Sequence, residues 1–437
     1  MINYLPYSFL VLLMSFLCAF SVNKNQTSKY MSVNKIFIYI IILIFLPIIL
    51  IKPDIYIFDI KTNYRSLFLP SEDTIKQTIL VYSLMCFSFA LSNFYSSDFS
   101  KENITYNDKI INSSDKKNFF DSYCIVIYFL LIFVSLINYK YRILILSYIL
   151  GDFDYNQVNN LRRFQNSDLP IINMFRYNLI FIHILFFSLI IKKRFGYLAF
   201  SLVYFFSIIL ISGNISKLYY VFSLSVFAVV SLYTSEKKYL LYDNKIFLKI
   251  ISASLILVLS LGIIYSFVEH SGDIELIDGL RLGLYRVFAS SFNDMAYFID
   301  VFPSDIGFTY FRQSSLLSGI FSLDFMPVGE MLVDTHSDLY GKSTTIAAFF
   351  VAYAWAFGGY PFVIIFSFLL SFLLKYLDFK HRMIKNKIIR ITFYSFIICS
   401  PLINLQASFF TSLLHYGLLL GPMYMLFLDR LLINKDE

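Results

Sequence analysis

The chain has 437 residues, of which 58% are hydrophobic and only 15% charged. Soluble domains carry about 25% charged residues, so an ordinary cytosolic enzyme or nucleic-acid-binding domain is excluded as the class. The formal charge of +7 sits in short connections between apolar runs, where it orients a membrane protein. The runs are near twenty residues long, the length a helix needs to cross roughly 30 Å of hydrocarbon. No alternation over about ten residues marks barrel strands. The expected fold class is all-α: a polytopic bundle of about eleven spans forming a single integral membrane domain over 1–437.

In chain order, spans are predicted near 2–22, 35–52, 75–94, 120–138, 172–191, 195–212, 217–233, 248–267, 360–377, 388–406 and 411–430. Residues 1–22 have no preceding Lys or Arg, while Lys24, Lys29 and Lys35 follow, so they read as a retained first span with its N-terminus outside. Strict alternation then puts every strongly basic connection on the cytoplasmic side: Lys101 to Lys117, Lys192-Lys193-Arg194, Lys237 to Lys245, and Lys380 to Arg390. The C-terminus, with Arg430 and Lys435, also ends inside.

The outer side receives three sizeable connections, 53–74, 139–171 and 268–342. The last is too long for an ordinary link, and such loops are functional when they carry structure of their own. A helical pattern runs through Leu280–Asp300, with Leu284, Val287, Phe288, Ser291 and Met295 on one side. A turn-rich stretch follows, through Pro303, Gly307, Gly319, Pro327 and Gly329. Residues 343–357 are apolar but short for a crossing, and a separate span there would break the charge parity. They suit a re-entrant or interfacial helix, set off from the next span by Gly358-Gly359 and Pro361. One long kinked helix over 343–377 is the alternative.

Candidate chemistry concentrates on the outer side. Loop 268–342 holds eleven Asp/Glu, yet keeps Arg281 and Arg286 on its helical stretch. Arginine presents a planar fork of donors suited to phosphate oxygens. Arg286, Ser290, Asn293 and Tyr297 share one helix face by spacing, offering donors to a pyrophosphate and to sugar hydroxyls. The plainer alternative pairs the arginines with Asp278, Asp294 or Asp300. Lys217 stands where one span ends outside and the next begins, a functional position or a snorkelling helix end. Arg162, Arg163 and Arg176 are candidates for either substrate or lipid head-group contact. His336, between Asp334 and Asp338, has the right intrinsic pKa for a general base, against the commoner reading of an exposed loop histidine. Ser71-Glu72-Asp73 is a weak paired-acid candidate, read equally well as a solvated turn.

The four cysteines all lie inside apolar runs, so no disulfide framework is expected outside. No metal-ligand spacing, P-loop, dinucleotide fingerprint or nucleophile elbow occurs, and no metal, cofactor or nucleic-acid partner is expected. No internal repeat is visible, which weighs against a transporter built from repeated halves.

Three features together resemble the bacterial O-antigen polymerase (Wzy) and oligosaccharide repeat-unit polymerase group. One is Ser-Gly-Asn-Ile-Ser-Lys at 212–217 between two closely coupled spans, a motif shared with O-antigen ligases. Another is the large outer loop with Leu-Tyr-Arg-Val-Phe around Arg286 and Tyr-Phe-Ile-Asp-Val-Phe-Pro after it. The third is Gly-Lys-Ser-Thr-Thr…Tyr-Ala-Trp-Ala-Phe-Gly-Gly at 341–359, with Ala356 where the group commonly has Asp. The resemblance implies a glycosyltransferase at the periplasmic face of the inner membrane, joining polyprenyl-pyrophosphate-linked oligosaccharides as donor and acceptor. Lipid pyrophosphate leaves, so no nucleotide sugar or metal is required. In that chemistry Arg286 and Lys217, supported by Arg281, would stabilise the departing pyrophosphate. His336 would take the acceptor proton. Membrane lipids, and a chain-length regulator as a candidate, complete the expected partners. The rival readings are a flippase for the same lipid-linked unit, an O-antigen ligase, and a polyprenyl-phosphate-sugar transferase using Asp54, Asp59, Glu72 and Asp73.

Overall fold

The computed structural model describes residues 5–24, 32–51, 70–95, 114–138, 179–212, 217–234, 290–335, 348–404, 408–414 and 417–433. Among them every regular element is helical, and none is a strand. The helices are α1 Leu5–Lys24, α2 Val33–Ile51, α3 Glu72–Tyr95, α4 Ser114–Asn138, α5 Phe181–Ser212, α6 Lys217–Thr234 and α7 Ser290–Val301. There follow α8 Ser315–Ile320, α9 Val328–Thr335, α10 Phe350–Gly358, α11 Tyr360–Met383, α12 Lys387–Asn404, α13 Phe409–Leu414 and α14 Leu420–Ile433. Two of these, α3 and α11, are long and apolar enough to cross a membrane, and α1, α2 and α4 contain shorter apolar stretches. Large apolar side chains also point outward: Phe9, Phe16 and Phe20 on α1, Val126, Phe129 and Phe133 on α4, Leu198, Leu202 and Phe206 on α5. Stripes of that kind are unsuited to water and suited to lipid.

Most predicted spans coincide with helices. Predicted spans 172–191 and 195–212 are joined in α5, but Gly196 at φ 87 breaks the helix between them. That left-handed conformation carries no penalty for glycine alone. The predicted last span is interrupted before Leu420, where Gly417 takes φ 73 and Leu418 and Leu419 donate back to Ser412 and Leu413. The predicted span 248–267 lies outside the described residues.

The chain divides into two compact units. The first comprises residues 1–102, 238–376 and 404–409, and the second 103–237, 377–403 and 410–437. In the first unit, side-chain pairs fix the relative direction of four helices. Ser15 meets Tyr82 at 3.4 Å and Asn93 donates to Ser21 at 3.2 Å, so α1 and α3 run parallel. Asn34 meets Asn93 while Phe37 meets Phe89, so α2 runs antiparallel to α3. Ser371 and Lys375 of α11 reach Asn34 and Asn93, which puts the later part of α11 beside the end of α3 and the start of α2.

In the second unit, Tyr197, Phe200 and Tyr204 of α5 meet Ser231, Phe227 and Ser223 of α6 in turn, an antiparallel hairpin. Helix α14 runs antiparallel to α12. Gly421 lies against Phe396, and the Asp429 carboxylate accepts from the backbone N–H groups of Lys385 (3.2 Å) and Asn386 (2.9 Å). Asn386 Oδ1 in turn accepts from Ile388 and Ile389, capping the first turn of α12. A carboxylate there also complements the positive end of the helix dipole.

Candidate functional site

The described part of the long connection, 290–335, is built rather than loose. The later half of the helical pattern predicted over Leu280–Asp300 is α7, residues 280–289 lying outside the described residues, and Phe292, Met295, Ala296, Tyr297, Phe298 and Ile299 are all buried. An apolar face on one side was expected. Instead α7 packs against both α3 and α10, which buries most of its circumference and makes it part of the first unit's core. At its end, Asp300 accepts a 2.6 Å bond from Thr74 Oγ1 in the first turn of α3. Asp300 thus serves Thr74, and the pairing with Arg281 or Arg286 that the sequence allowed is not its described contact.

That first turn is itself well capped. Ser71 Oγ accepts from the Thr74 backbone N–H at 3.1 Å, and Glu72 and Asp73 occupy the turn where the helix dipole favours acids. Lys76 pairs with Asp73 at 3.1 Å and with Glu72 at 3.9 Å. Both acids are exposed, so the Ser-Glu-Asp motif has the geometry of a solvated helix start.

Beyond α7 the chain turns through 302–306, forms a short 3-10 turn at Tyr310–Gln313, then α8 and α9. Three polar contacts fasten this stretch to α10. The Trp355 indole N–H donates to the Phe302 carbonyl at 2.8 Å. The Ala356 carbonyl accepts from Thr309 twice, from its backbone N–H at 2.9 Å and from Oγ1 at 3.0 Å. Gln313 donates to Thr309 Oγ1 at 2.6 Å and to the Tyr353 carbonyl at 3.0 Å. The two bonds from Thr309 satisfy the Ala356 carbonyl in the last turn of α10, which a helix leaves without an internal partner.

Helix α10 takes up the later part of the apolar segment predicted over 343–357, of which residues 343–347 lie outside the described residues. Gly359, at φ 74, separates α10 from α11, so the two are distinct helices and not one kinked rod. A Cβ at Gly359 would meet the Phe308 ring at 3.2 Å in a backbone conformation that L side chains rarely adopt. Only glycine suits that turn. Phe350, at the other end of α10, touches Phe37 and Phe89 with ring centroids 6.4 Å apart in each case.

Of the site residues expected from sequence, Asn293 and Tyr297 lie on α7 as the spacing required. Asn293 is half-buried, while Tyr297 is 1% exposed and its hydroxyl donates to the Leu332 carbonyl of α9 at 3.2 Å. Tyr297 therefore ties the connection together in this structure. Lys217 is the first residue of α6. Arg162, Arg163, Arg176, Arg281, Arg286 and His336 lie outside the described residues. Ala356, where the polymerase group commonly has Asp, is fully buried.

Two polar clusters escaped the sequence reading. In the first unit, Asn93 Oδ1 accepts from Asn34 Nδ2 at 2.6 Å, and Asn34 also bonds Ser371 at 3.2 Å. Asn93 Nδ2 reaches Ser21, and Lys375 Nζ donates to the Asn93 carbonyl at 2.7 Å. This network links α1, α2, α3 and α11. In the second unit, His183 Nε2 and the Tyr424 hydroxyl are 2.6 Å apart, and Tyr123 meets Tyr424 at 3.0 Å. The only sequence signal for either was a lysine and a histidine lodged inside apolar runs. Among the described residues, no group of three or more His, Cys, Asp or Glu side chains gathers as a metal site would require.

Fold and site together define a protein that is all-helical among the described residues, with two helices long and apolar enough to cross a membrane and a folded connection, 290–335, fastened to α3 and α10. Compared with protein-family models, with curated proteins and with solved structures, the chain matches none.

Proposed function

We propose that this chain is a membrane glycosyltransferase that polymerises polyprenyl-pyrophosphate-linked oligosaccharide repeat units at the outer face of the bacterial inner membrane. About eleven spans cross the bilayer, with the N-terminus outside and the C-terminus inside. The relative directions of α1, α2, α3 and α11, of α5 and α6, and of α12 and α14 are those that strict alternation requires.

The observation that carries the reading is the rigid body made by α7, α10 and residues 302–335 beside the start of α3. A site that must orient two large lipid-linked substrates needs a rigid support, and a folded outer connection supplies one. In sequence Arg286 stands four residues before the start of α7. There it can present its guanidinium to a pyrophosphate at the membrane surface. Helix α10 supports the same architecture as a re-entrant element. Phe350 meets Phe89, which lies roughly 25 Å along α3 from Glu72 at 1.5 Å per residue, whereas Ala356 meets the outer connection at Thr309. The helix starts deep, climbs outward, and α11 descends again after Gly359.

In the proposed reaction the bond between the donor's anomeric carbon and its pyrophosphate breaks. A new glycosidic bond forms to an acceptor hydroxyl, whose proton passes to a base, His336. The lipid pyrophosphate leaves with both electrons of the broken bond. Arg286 and Lys217, with Arg281, stabilise that developing charge in a site drier than bulk water. Arg162, Arg163 and Arg176 hold the head groups of donor and acceptor.

The test is the intermediate that accumulates when the chain is removed from its cell. Single lipid-linked units on the outer face are expected. The same units trapped on the inner face would overturn the reading in favour of a flippase. Polymer that is still made but not transferred would mark a ligase.

A further inference from the structure

Residues 308–325 carry a surface that the proposed reaction does not use. Tyr310, Phe311, Ile320, Phe321, Leu323 and Phe325 are all exposed, Ile320 at 65%, Phe321 at 53% and Phe325 at 49%. Six large apolar side chains in sixteen residues, facing outward together, would be costly in water. They are held in place: Phe311 stacks near Phe321 at 4.9 Å and meets Phe357 edge-on at 5.4 Å. The backbone is also committed, because Tyr310 (φ 46) and Ser322 (φ 53) take left-handed conformations that side chains seldom adopt.

The ring contacts show where this patch leads. Phe357 lies 4.6 Å from Phe362 and 5.0 Å from Phe366, both on α11. Helix α11 is one of the two long apolar helices, and it exposes Ile365 and Leu369 on the next turns. The patch therefore lies beside the end where α11 begins, joined to it through the buried rings of Phe357 and Phe366. Its charge is equally particular. From 308 to 325 the only charged residues are Arg312 and Asp324, both exposed, with the Arg312 guanidinium 3.9 Å from the Met326 sulfur. An apolar surface rich in aromatic rings and bearing only two charged side chains suits the interfacial zone of a bilayer.

We infer that residues 308–325 form a hydrophobic wedge seated in the outer interfacial layer of the membrane, its occupant being lipid, with Arg312 at head-group level. The inference rests on the membrane reading above and is independent of the proposed chemistry. The wedge pins the folded connection to the bilayer surface, where a lipid-linked substrate would have to be met.

The four native cysteines, Cys18, Cys86, Cys124 and Cys399, are buried, so a cysteine placed on the surface can be labelled selectively. The full chain is placed in nanodiscs of phosphatidylcholine and phosphatidylglycerol, with an environment-sensitive fluorophore attached at Ile320→Cys or Phe325→Cys. Leu369→Cys serves as the lipid-facing reference and Asp305→Cys as the water-facing one, both positions being exposed. Probes at 320 and 325 should lose their emission to doxyl-labelled lipid and be shielded from iodide, as at 369. The probe at 305 should show the reverse. Iodide quenching at 320 and 325, with lipid quenching retained at 369, would overturn the wedge while leaving the membrane reading intact. Loss of lipid quenching at 369 would overturn that reading and the wedge with it. Protection of 320 and 325 from both quenchers would mean that protein, such as a second copy of this chain, covers the patch, and the wedge would be refuted.

Discussion

Replacing Asn93 with leucine tests whether the polar network holds four helices together. Asn93 is fully buried, and its side chain makes two bonds, 2.6 Å to Asn34 and 3.2 Å to Ser21. Both partners keep a second contact after the change. Asn34 retains Ser371, and Ser21 still donates to the Cys18 carbonyl at 2.7 Å. Lys375 also keeps its bond, because that bond goes to the backbone carbonyl of residue 93. The loss is thus two interhelical side-chain bonds with no completely orphaned group. Such bonds within a bilayer are worth about 0.6 kcal/mol on average and up to about 1.7 each, so the expected destabilisation is about 1–3 kcal/mol. Steric-trapping or denaturant unfolding of the chain in bicelles measures it directly. A double-mutant cycle with Asn34→Ala should return a coupling of about 1 kcal/mol. No coupling would refute the geometry described for this cluster. A loss beyond about 4 kcal/mol would show that the retained contacts do not survive.

Arg286→Ala should remove the polymer ladder on a polysaccharide gel at normal membrane levels of protein, and Arg286→Lys should recover little, since a lysine cannot reproduce a bidentate phosphate contact. A full ladder from either variant would sink the site assignment. Gly359→Ala places a Cβ at φ 74, ψ −155 against Phe308, a conformation essentially reserved for glycine, and strain of about 1–3 kcal/mol plus that contact should lower the unfolding midpoint measurably. An unchanged midpoint would contradict the turn between α10 and α11. Neutralising Glu72 and Asp73 together should leave polymer length and yield unchanged, because both acids are exposed and engaged with Lys76. Abolished activity would instead favour the acid-dependent transferase.

Sequence alone determined the helical class, the positions of most apolar helices and the existence of structure in the long connection. These follow from local quantities: the length of an apolar run, the period of a pattern, and the side on which lysines gather. The break at Gly359 was legible too, since Gly358-Gly359 followed by Pro361 cannot continue a helix smoothly. What α7 does was not legible. Its composition, with Asn293, Asp294 and Asp300, reads as a half-exposed lid, and only the simultaneous packing of α3 and α10 buries it. Tyr297 shows the same limit: its spacing from Asn293 is local, but its bond to Leu332 depends on where α9 returns.

The networks around Asn93 and Tyr424 likewise join residues far apart in the chain. In apolar runs, isolated Asn, His and Tyr residues give no periodic signal, so only the tertiary structure brought them together. The exposed rings of 308–325 had no sequence signature at all. Aromatic residues in a turn-rich stretch can face either way, and only the folded chain shows that these face out. Where the solvent is the discriminating partner, local sequence names the side chains, and the packing of the rest of the chain decides which of them are left for lipid.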